Sequence, residues 1–88
     1  NGTKGEPELL RNAYKNSLAL ANKKKLKTIA FPNISTGVYR FPKRMAGRIA
    51  INTVSEFLSK NSYPKQAIFV CFDESNYDLY KELLAELI

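Results

Sequence analysis

Apolar and polar positions along the chain predict five elements in the order helix, strand, helix, strand, helix. Apolar residues recur near the helical period from Leu9, in a predicted helix that can begin at Pro7 and ends within 23–26. A short strand is predicted over 27–31, and an amphipathic helix over 42–60. A second strand is predicted over 66–72, followed by a last helix. The apolar stripe of that last helix consists of Tyr77, Tyr80, Leu83, Leu84 and Leu87.

Both predicted strands are apolar without polar alternation, which is typical of strands covered on both faces. A strand, a helix and a strand in this order form a right-handed parallel crossover unit. Two strands are too few for a sheet that is stable by itself. We therefore predict a three-layer α/β/α fold of the α/β class, in which this piece docks onto more sheet. That sheet would come from an N-terminal half of the same domain or from a second copy.

Size and composition set limits on the class of protein. The chain has 88 residues, of which 44% are hydrophobic and 25% charged, typical of one soluble globular domain or part of one. No apolar run approaches the roughly 20 residues of a membrane span, so we expect no membrane partner. The first residue is Asn1 instead of methionine, which predicts that something upstream is missing.

The chain contains one cysteine, Cys71, and no histidine. An intrachain disulfide is therefore impossible, and we expect neither a metal site nor a cofactor. Free cysteine is among the most buried residue types, so Cys71 is predicted to be a core thiol. An unpaired thiol fits a reducing compartment, and we expect a cytoplasmic protein.

The formal net charge is +6 at pH 7, and two basic groups supply much of it. Lys23, Lys24, Lys25 and Lys27 lie at the predicted end of the first helix, where cations interact favourably with the helix dipole. We favour a solvated helix end for this group and keep a nucleic-acid patch as the alternative. The second group flanks the segment between the first strand and the next helix, and consists of Arg40, Lys43, Arg44 and Arg48.

The segment 33–41 follows the first strand and has features suited to a phosphate. Ligands of open parallel sheets bind at the carboxyl ends of the strands, so this loop and the turn 72–75 should emerge at one edge. Gly37 permits a close backbone approach, and Ser35 and Thr36 can donate hydroxyl hydrogen bonds. The helix that follows lacks a capping side chain at its positive end. An ordinary strand-to-helix turn is the alternative.

Aromatic and acidic residues near the same edge have two interpretations each. Phe72 ends the second strand and could lie against a base, although an isolated phenylalanine is more often core. Tyr39 could close over a ligand or pack on the surface. Asp73 and Glu74 could bind a ribose, and capping of the last helix is the interpretation we favour.

Three stretches together resemble the macrodomain family, an ADP-ribose-binding module. TIAFPNISTGVYRFPKRMAGRIAINTVSEFL resembles the second half of a macrodomain, with PxISTGVYxxP as its most specific motif. GEPELLRNAYKNSLALANKKKLKTIAF resembles the helix and strand before that loop, and FVCFDESNYDLYKELL the closing strand and helix. The resemblance covers nearly the whole chain from Gly5. It implies a macrodomain-like fold in which residues 1–88 are the C-terminal portion of one domain.

The resemblance also implies roles for individual residues. The loop amides would hold the diphosphate and distal ribose, Phe72 would contact the adenosine, and Asn33 would lie near the adenine or its ribose. The implied ligand-binding residues are Asn33, Ser35, Thr36, Gly37, Val38, Tyr39 and Phe72.

Two departures from the family pattern limit what this chain can do alone. Arg40 replaces the glycine usual after the loop aromatic, which would narrow the distal pocket or add a cation near the phosphates. Nothing in the chain resembles the family's N-terminal half, on which catalysis depends in hydrolytic members. We therefore assign no catalytic residue and expect this piece alone to be inactive.

Three functions remain open at this point. The first is binding of ADP-ribose or ADP-ribosylated protein, with ADP-ribosyl hydrolysis or O-acetyl-ADP-ribose deacetylation in the complete domain. The second is a basic module that binds nucleic acid or another polyanion. The third is an inactive structural fragment.

Overall fold

The computed structural model describes residues 6–32, 43–71 and 73–87. The described elements are α1 (Glu6–Lys23), β1 (Thr28–Pro32), α2 (Lys43–Lys60), β2 (Gln66–Val70) and α3 (Glu74–Ala85). The predicted order is confirmed, and most predicted boundaries lie within one or two residues of the observed ones.

The two strands pair in parallel, as a crossover unit requires. The register runs from Thr28 opposite Gln66 to Pro32 opposite Val70. The ladder begins where the carbonyl of Lys27 accepts hydrogen bonds from the amides of Lys65 and Gln66, at 2.7 and 3.0 Å. Pro32, which has no amide to donate, is the last residue of β1, in agreement with the prediction that it ends the pairing.

The three helices and one face of the sheet enclose the core. The central helix α2 packs against both α1 and α3. From the sheet, Phe31 is buried, and Ile29, Ala67 and Phe69 pack against the cluster from partly buried positions. The buried apolar side chains of the helices are Leu10, Tyr14, Leu18, Ala21, Ala46, Ala50, Ile51, Val54, Tyr80 and Leu83.

The opposite face of the sheet is open within the described residues, so coverage of that face by a further layer stays a prediction. Ala30 is exposed there, and Ile68 and Val70 expose 42% and 40% of their surface. None of α1, α2 and α3 covers this apolar face, because the buried side chains of all three helices pack in the cluster that contains Phe31, on the other face. The described residues therefore supply two of the three predicted layers.

Burial departs from the prediction at Cys71 and at several positions on the stripe of the last helix. Cys71 packs against the core cluster but is half-buried instead of enclosed, since it lies just beyond the end of β2. On the stripe of the last helix, Tyr80 and Leu83 are buried as predicted, whereas Tyr77, Leu84 and Leu87 are exposed. Tyr77, Leu84 and Cys71 line an open groove of about 250 Å³ between β2 and α3.

The end of α1 is closed by backbone hydrogen bonds around a left-handed residue. Lys25 has a φ of 56°, and its amide donates to the carbonyl of Asn22. The amide of Leu26 reaches back to the carbonyl of Ala21 at 2.9 Å. These two bonds form a Schellman motif, in which the left-handed position usually holds glycine. No helix in the described part of the chain is long and apolar enough to span a membrane.

Candidate functional site

The carboxyl edge of the sheet is where the two predicted binding segments leave the strands. Pro32 and Val70 form the last pair of the ladder. The segment 33–42 follows Pro32 in the sequence and precedes Lys43, the first residue of α2, and residue 72 lies two positions beyond Val70. The predicted ligand-binding residues all lie outside the described residues: Asn33, Ser35, Thr36, Gly37, Val38, Tyr39 and Phe72.

A line of aromatic rings holds the two strands and two helices together. The rings of Tyr14 and Phe31 meet edge to face, with centroids 5.0 Å apart. Phe31 stacks on Phe69 at 6.0 Å, and Phe69 contacts Tyr80 at 5.3 Å. Such pairs stabilise beyond the area they bury, by about 0.5–1.5 kcal/mol each. They connect α1, β1, β2 and α3, and so fix the ends of the two strands, from which the segments 33–42 and 72–73 continue.

Asp73, the residue after position 72, is held in place as the N-cap of α3. Its backbone is extended, and its Oδ1 accepts from the amide of Asn76 at 2.9 Å and from Oγ of Ser75 at 3.2 Å. Its Oδ2 accepts from the side-chain amide of Asn76 at 3.1 Å. The prediction that Asp73 caps the last helix is confirmed. The carboxylate thereby fixes the backbone immediately after Phe72 in the sequence.

The positive charge at the start of α2 has a protein partner. Arg44 donates to Glu82 Oε1 of α3 at 2.9 Å, and Arg48 donates to Glu86 Oε1 at the same distance. The hydrogen bond from Arg44, and then its charge, lower the pKa of the Glu82 carboxyl. The Glu82 hydrogen bond and charge likewise raise the pKa of Arg44. Two of the four cations of the second basic group are thus paired, and an added anion is not needed to compensate them.

This interhelical pairing escaped the sequence analysis, although a signal was present. Arg44 and Arg48 are four residues apart, as are Glu82 and Glu86, so each pair lies on one face of its helix. Matching spacings of opposite sign on two helices indicate helix faces that can lie side by side.

The Cys71 thiol lies next to this edge and is poorly suited to act as a nucleophile. Burial, and secondarily the charge of Asp73, raise its pKa above the ordinary value. A thiol with a raised pKa is protonated at neutral pH, and the thiolate is the reactive form. Within the described residues, no group of three or more acidic, cysteine or histidine side chains could hold a metal ion.

Comparisons with known proteins agree on one family. The family model described as Macro domain matches residues 1–50. A curated relative named O-acetyl-ADP-ribose deacetylase, from Cronobacter turicensis, is 48% identical over 85 residues, which are 97% of this chain and 48% of the relative. The chain spans about half the length of the curated relatives it matches.

Solved structures give the same result for the fold. The Oceanobacillus iheyensis macrodomain with ADP matches 92% of this chain and 42% of its own, with a TM-score of 0.84 and 44% identity. The Trypanosoma brucei macrodomain in complex with ADP-ribose matches 89% of this chain and 34% of its own, with a TM-score of 0.81 and 37% identity. Parallel strands and helices in the macrodomain arrangement are therefore shared with proteins solved with ADP or ADP-ribose.

Proposed function

The chain belongs to the macro domain family, and we propose that the complete domain binds ADP-ribose, free or attached to a protein, at the carboxyl edge of the sheet. The observation that carries this proposal is the pairing of Pro32 with Val70. Because these strand ends are neighbours, the two predicted binding segments, 33–41 and the turn at 72, both begin at the same edge of the sheet. Two structures similar to this chain are named as complexes with ADP and with ADP-ribose, which supports the same ligand class.

The chain's part in binding would be to hold the diphosphate with backbone amides. The motif ISTGVY lies between β1 and α2, where amides before a helix can bind an anion. Gly37 allows the backbone to approach the phosphates without a side chain in the way. Phe72 would supply an aromatic surface for the adenosine. The Asp73 cap would fix the backbone just after Phe72.

The remainder of the cleft would come from a segment beyond these 88 residues. The exposed Ala30, Ile68 and Val70 are an apolar face of the kind that a further layer covers. The groove between β2 and α3, lined by Tyr77 and Leu84, would be closed by the same segment. We therefore propose that this chain alone is not active and that it is the C-terminal portion of one domain.

The reaction proposed for the complete domain is hydrolysis of O-acetyl-ADP-ribose, after the name of the relatives. Water oxygen bonds to the acetyl carbonyl carbon, the ester bond to the ribose oxygen breaks, and that oxygen takes a proton. The products are acetate and ADP-ribose. Residues of this chain would act by positioning, because a held diphosphate places the acetyl ester of the distal ribose for attack by water.

Calorimetric titration of the full-length protein with ADP-ribose tests the proposal. We expect saturable binding that Gly37→Glu abolishes, since a carboxylate would occupy and repel the phosphate site. Ser55→Glu is the matched control, because Ser55 is exposed on α2 and the substitution adds the same charge outside the loop. Binding that survives Gly37→Glu, or is absent from the wild-type protein, would reject the proposed function while leaving the fold intact.

A further inference from the structure

The basic residues of the chain are distributed unevenly between paired and unpaired positions. Arg11 pairs with Glu8, Arg44 with Glu82 and Arg48 with Glu86. The three arginines within the described ranges are thus balanced locally by carboxylates. Within the described part of the chain, the surplus of positive charge therefore rests on the lysines.

Six lysines gather at the end of the molecule opposite the carboxyl edge of the sheet. The segment 23–27 ends α1 and leads into β1, and the segment 60–65 ends α2 and leads into β2. All six lysine residues are exposed. This lysine patch consists of Lys23, Lys24, Lys25, Lys27, Lys60 and Lys65.

Hydrogen bonds hold the two segments of the patch side by side. The Lys65 amide donates to the Lys27 carbonyl at 2.7 Å, and the Tyr63 amide donates to Oδ1 of Asn22 at 3.2 Å. Lys65 Nζ lies 4.9 Å from the centroid of the Tyr63 ring, a cation–π contact. The lysines therefore converge through the fold, although they come from separate parts of the chain.

The patch contains little negative charge. Within the described part of the chain, the one carboxylate that pairs with a patch lysine is Glu56, which lies 3.8 Å from Lys60 with both side chains largely exposed. An exposed pair at that distance contributes little and competes weakly with another anion. Helix-end electrostatics account for lysines at the end of α1 or α2, but not for Lys27 and Lys65 at the start of the strands.

We propose that the lysine patch binds the phosphate backbone of nucleic acid without sequence preference. Clustered lysines on one face are the electrostatic footprint of such binding, in which released counterions supply the affinity. An anionic membrane is less well matched. Interfacial adsorption needs an apolar face, and Leu26 is the one large apolar side chain exposed within the described segments 23–27 and 60–66.

This site is separate from the proposed ADP-ribose edge. The strands begin at Thr28 and Gln66 beside the patch and end at Pro32 and Val70 beside the proposed cleft. Nucleic acid and ADP-ribose should therefore bind independently, and loss of one activity should leave the other intact.

The test is fluorescence anisotropy of the full-length protein with a labelled DNA duplex, at several salt concentrations. The patch variant is Lys24→Gln/Lys27→Gln/Lys65→Gln, and the control is Arg11→Gln/Lys15→Gln/Lys81→Gln, which removes the same charge from residues outside the patch. We expect the patch variant to weaken binding at low salt by at least about tenfold, and to reduce the slope of log K against log salt by about 2 to 3. The control variant should keep most of the affinity at low salt and most of the salt slope.

Equal losses of DNA affinity in the patch and control variants would overturn the proposal, because the net charge of the protein would then be sufficient to explain the binding. Absence of salt-dependent duplex binding would overturn it as well. Anionic phospholipid vesicles serve as a third probe, and binding to vesicles without binding to the duplex would assign the patch to a membrane. Circular dichroism and ADP-ribose titration of each variant separate these outcomes from misfolding and from failure of the proposed function.

Discussion

Pro32 and Val70 face each other in the last pair of the parallel ladder. Neighbouring strands lie about 4.8 Å apart, so the segments that leave these two residues start one strand spacing from each other. The rings of Phe31 and Phe69, one residue earlier on each strand, stack with centroids 6.0 Å apart and hold this spacing. A single ligand can therefore be contacted from both strand ends, which is the geometric basis of the proposed cleft.

Asp73 is expected to stabilise the protein through its cap. Asp73→Ala removes the acceptor of the Asn76 amide and should lower the free energy of unfolding by about 1 kcal/mol. Asn is nearly as good a cap as Asp, so Asp73→Asn should cost much less. Chemical denaturation of the full-length variants measures both. Equal losses for alanine and asparagine would show that the charge of Asp73, and not its cap, is responsible.

Cys71 should react slowly with iodoacetamide at neutral pH. Burial and the Asp73 charge raise its thiol pKa, so the thiolate becomes abundant only at higher pH than for a free cysteine. Asp73→Asn keeps the cap and removes the charge, and should therefore shift the pH profile of alkylation towards lower pH. A rate at neutral pH equal to that of free cysteine would contradict this assignment.

Lys25→Gly should stabilise the protein, which is unusual for a glycine substitution. Lys25 is the one residue other than glycine with positive φ in the described ranges, and glycine adopts this conformation without a Cβ penalty. We expect a gain of about 0.5–1 kcal/mol in the free energy of unfolding. Lys24→Gly is the control and should destabilise, since Lys24 does not have positive φ. A loss of stability with Lys25→Gly would refute the Schellman assignment.

The Arg44–Glu82 pair predicts a measurable change in one titration. Because Arg44 lowers the pKa of Glu82 by hydrogen bond and charge, Arg44→Gln should raise it, as followed by NMR of the side-chain carboxyl. Arg48→Gln should raise it less, since Arg48 acts on Glu82 through charge alone. The stabilisation from this pair is present above the unfolded-state pKa of Glu82 and is lost as pH falls through the lowered folded value. An unchanged pKa in Arg44→Gln would show that the pair does not persist in solution.

Much of the fold follows from local pattern. Helical periodicity identifies α1, α2 and α3, and the apolar runs identify β1 and β2, because each element carries its own burial signal in sequence. The Asp73 cap was predictable for the same reason, since its acceptor and donor lie three residues apart.

What the sequence pattern could not supply depends on parts distant along the chain. The apolar residues Ile68 and Val70 predict burial, but no described element covers their face, so the pattern indicates a layer that the described residues do not supply. The partner of Arg44 is 38 residues away, and no periodicity within one helix identifies it. The ligand-binding role of the segment 33–41 and of Phe72 rests on resemblance and stays a prediction, because these residues lie outside the described ranges.

Calorimetric titration of the full-length Phe72→Ala variant with ADP-ribose tests most directly whether residues at both strand ends contact one nucleotide. Loss of an aromatic–base contact costs about 1–3 kcal/mol, so we predict a Kd roughly 5 to 150 times that of the wild type. Leu20→Ala, which truncates an exposed apolar side chain on α1, should leave the Kd close to the wild-type value. An unchanged Kd for Phe72→Ala would contradict a cleft shared by both strand ends.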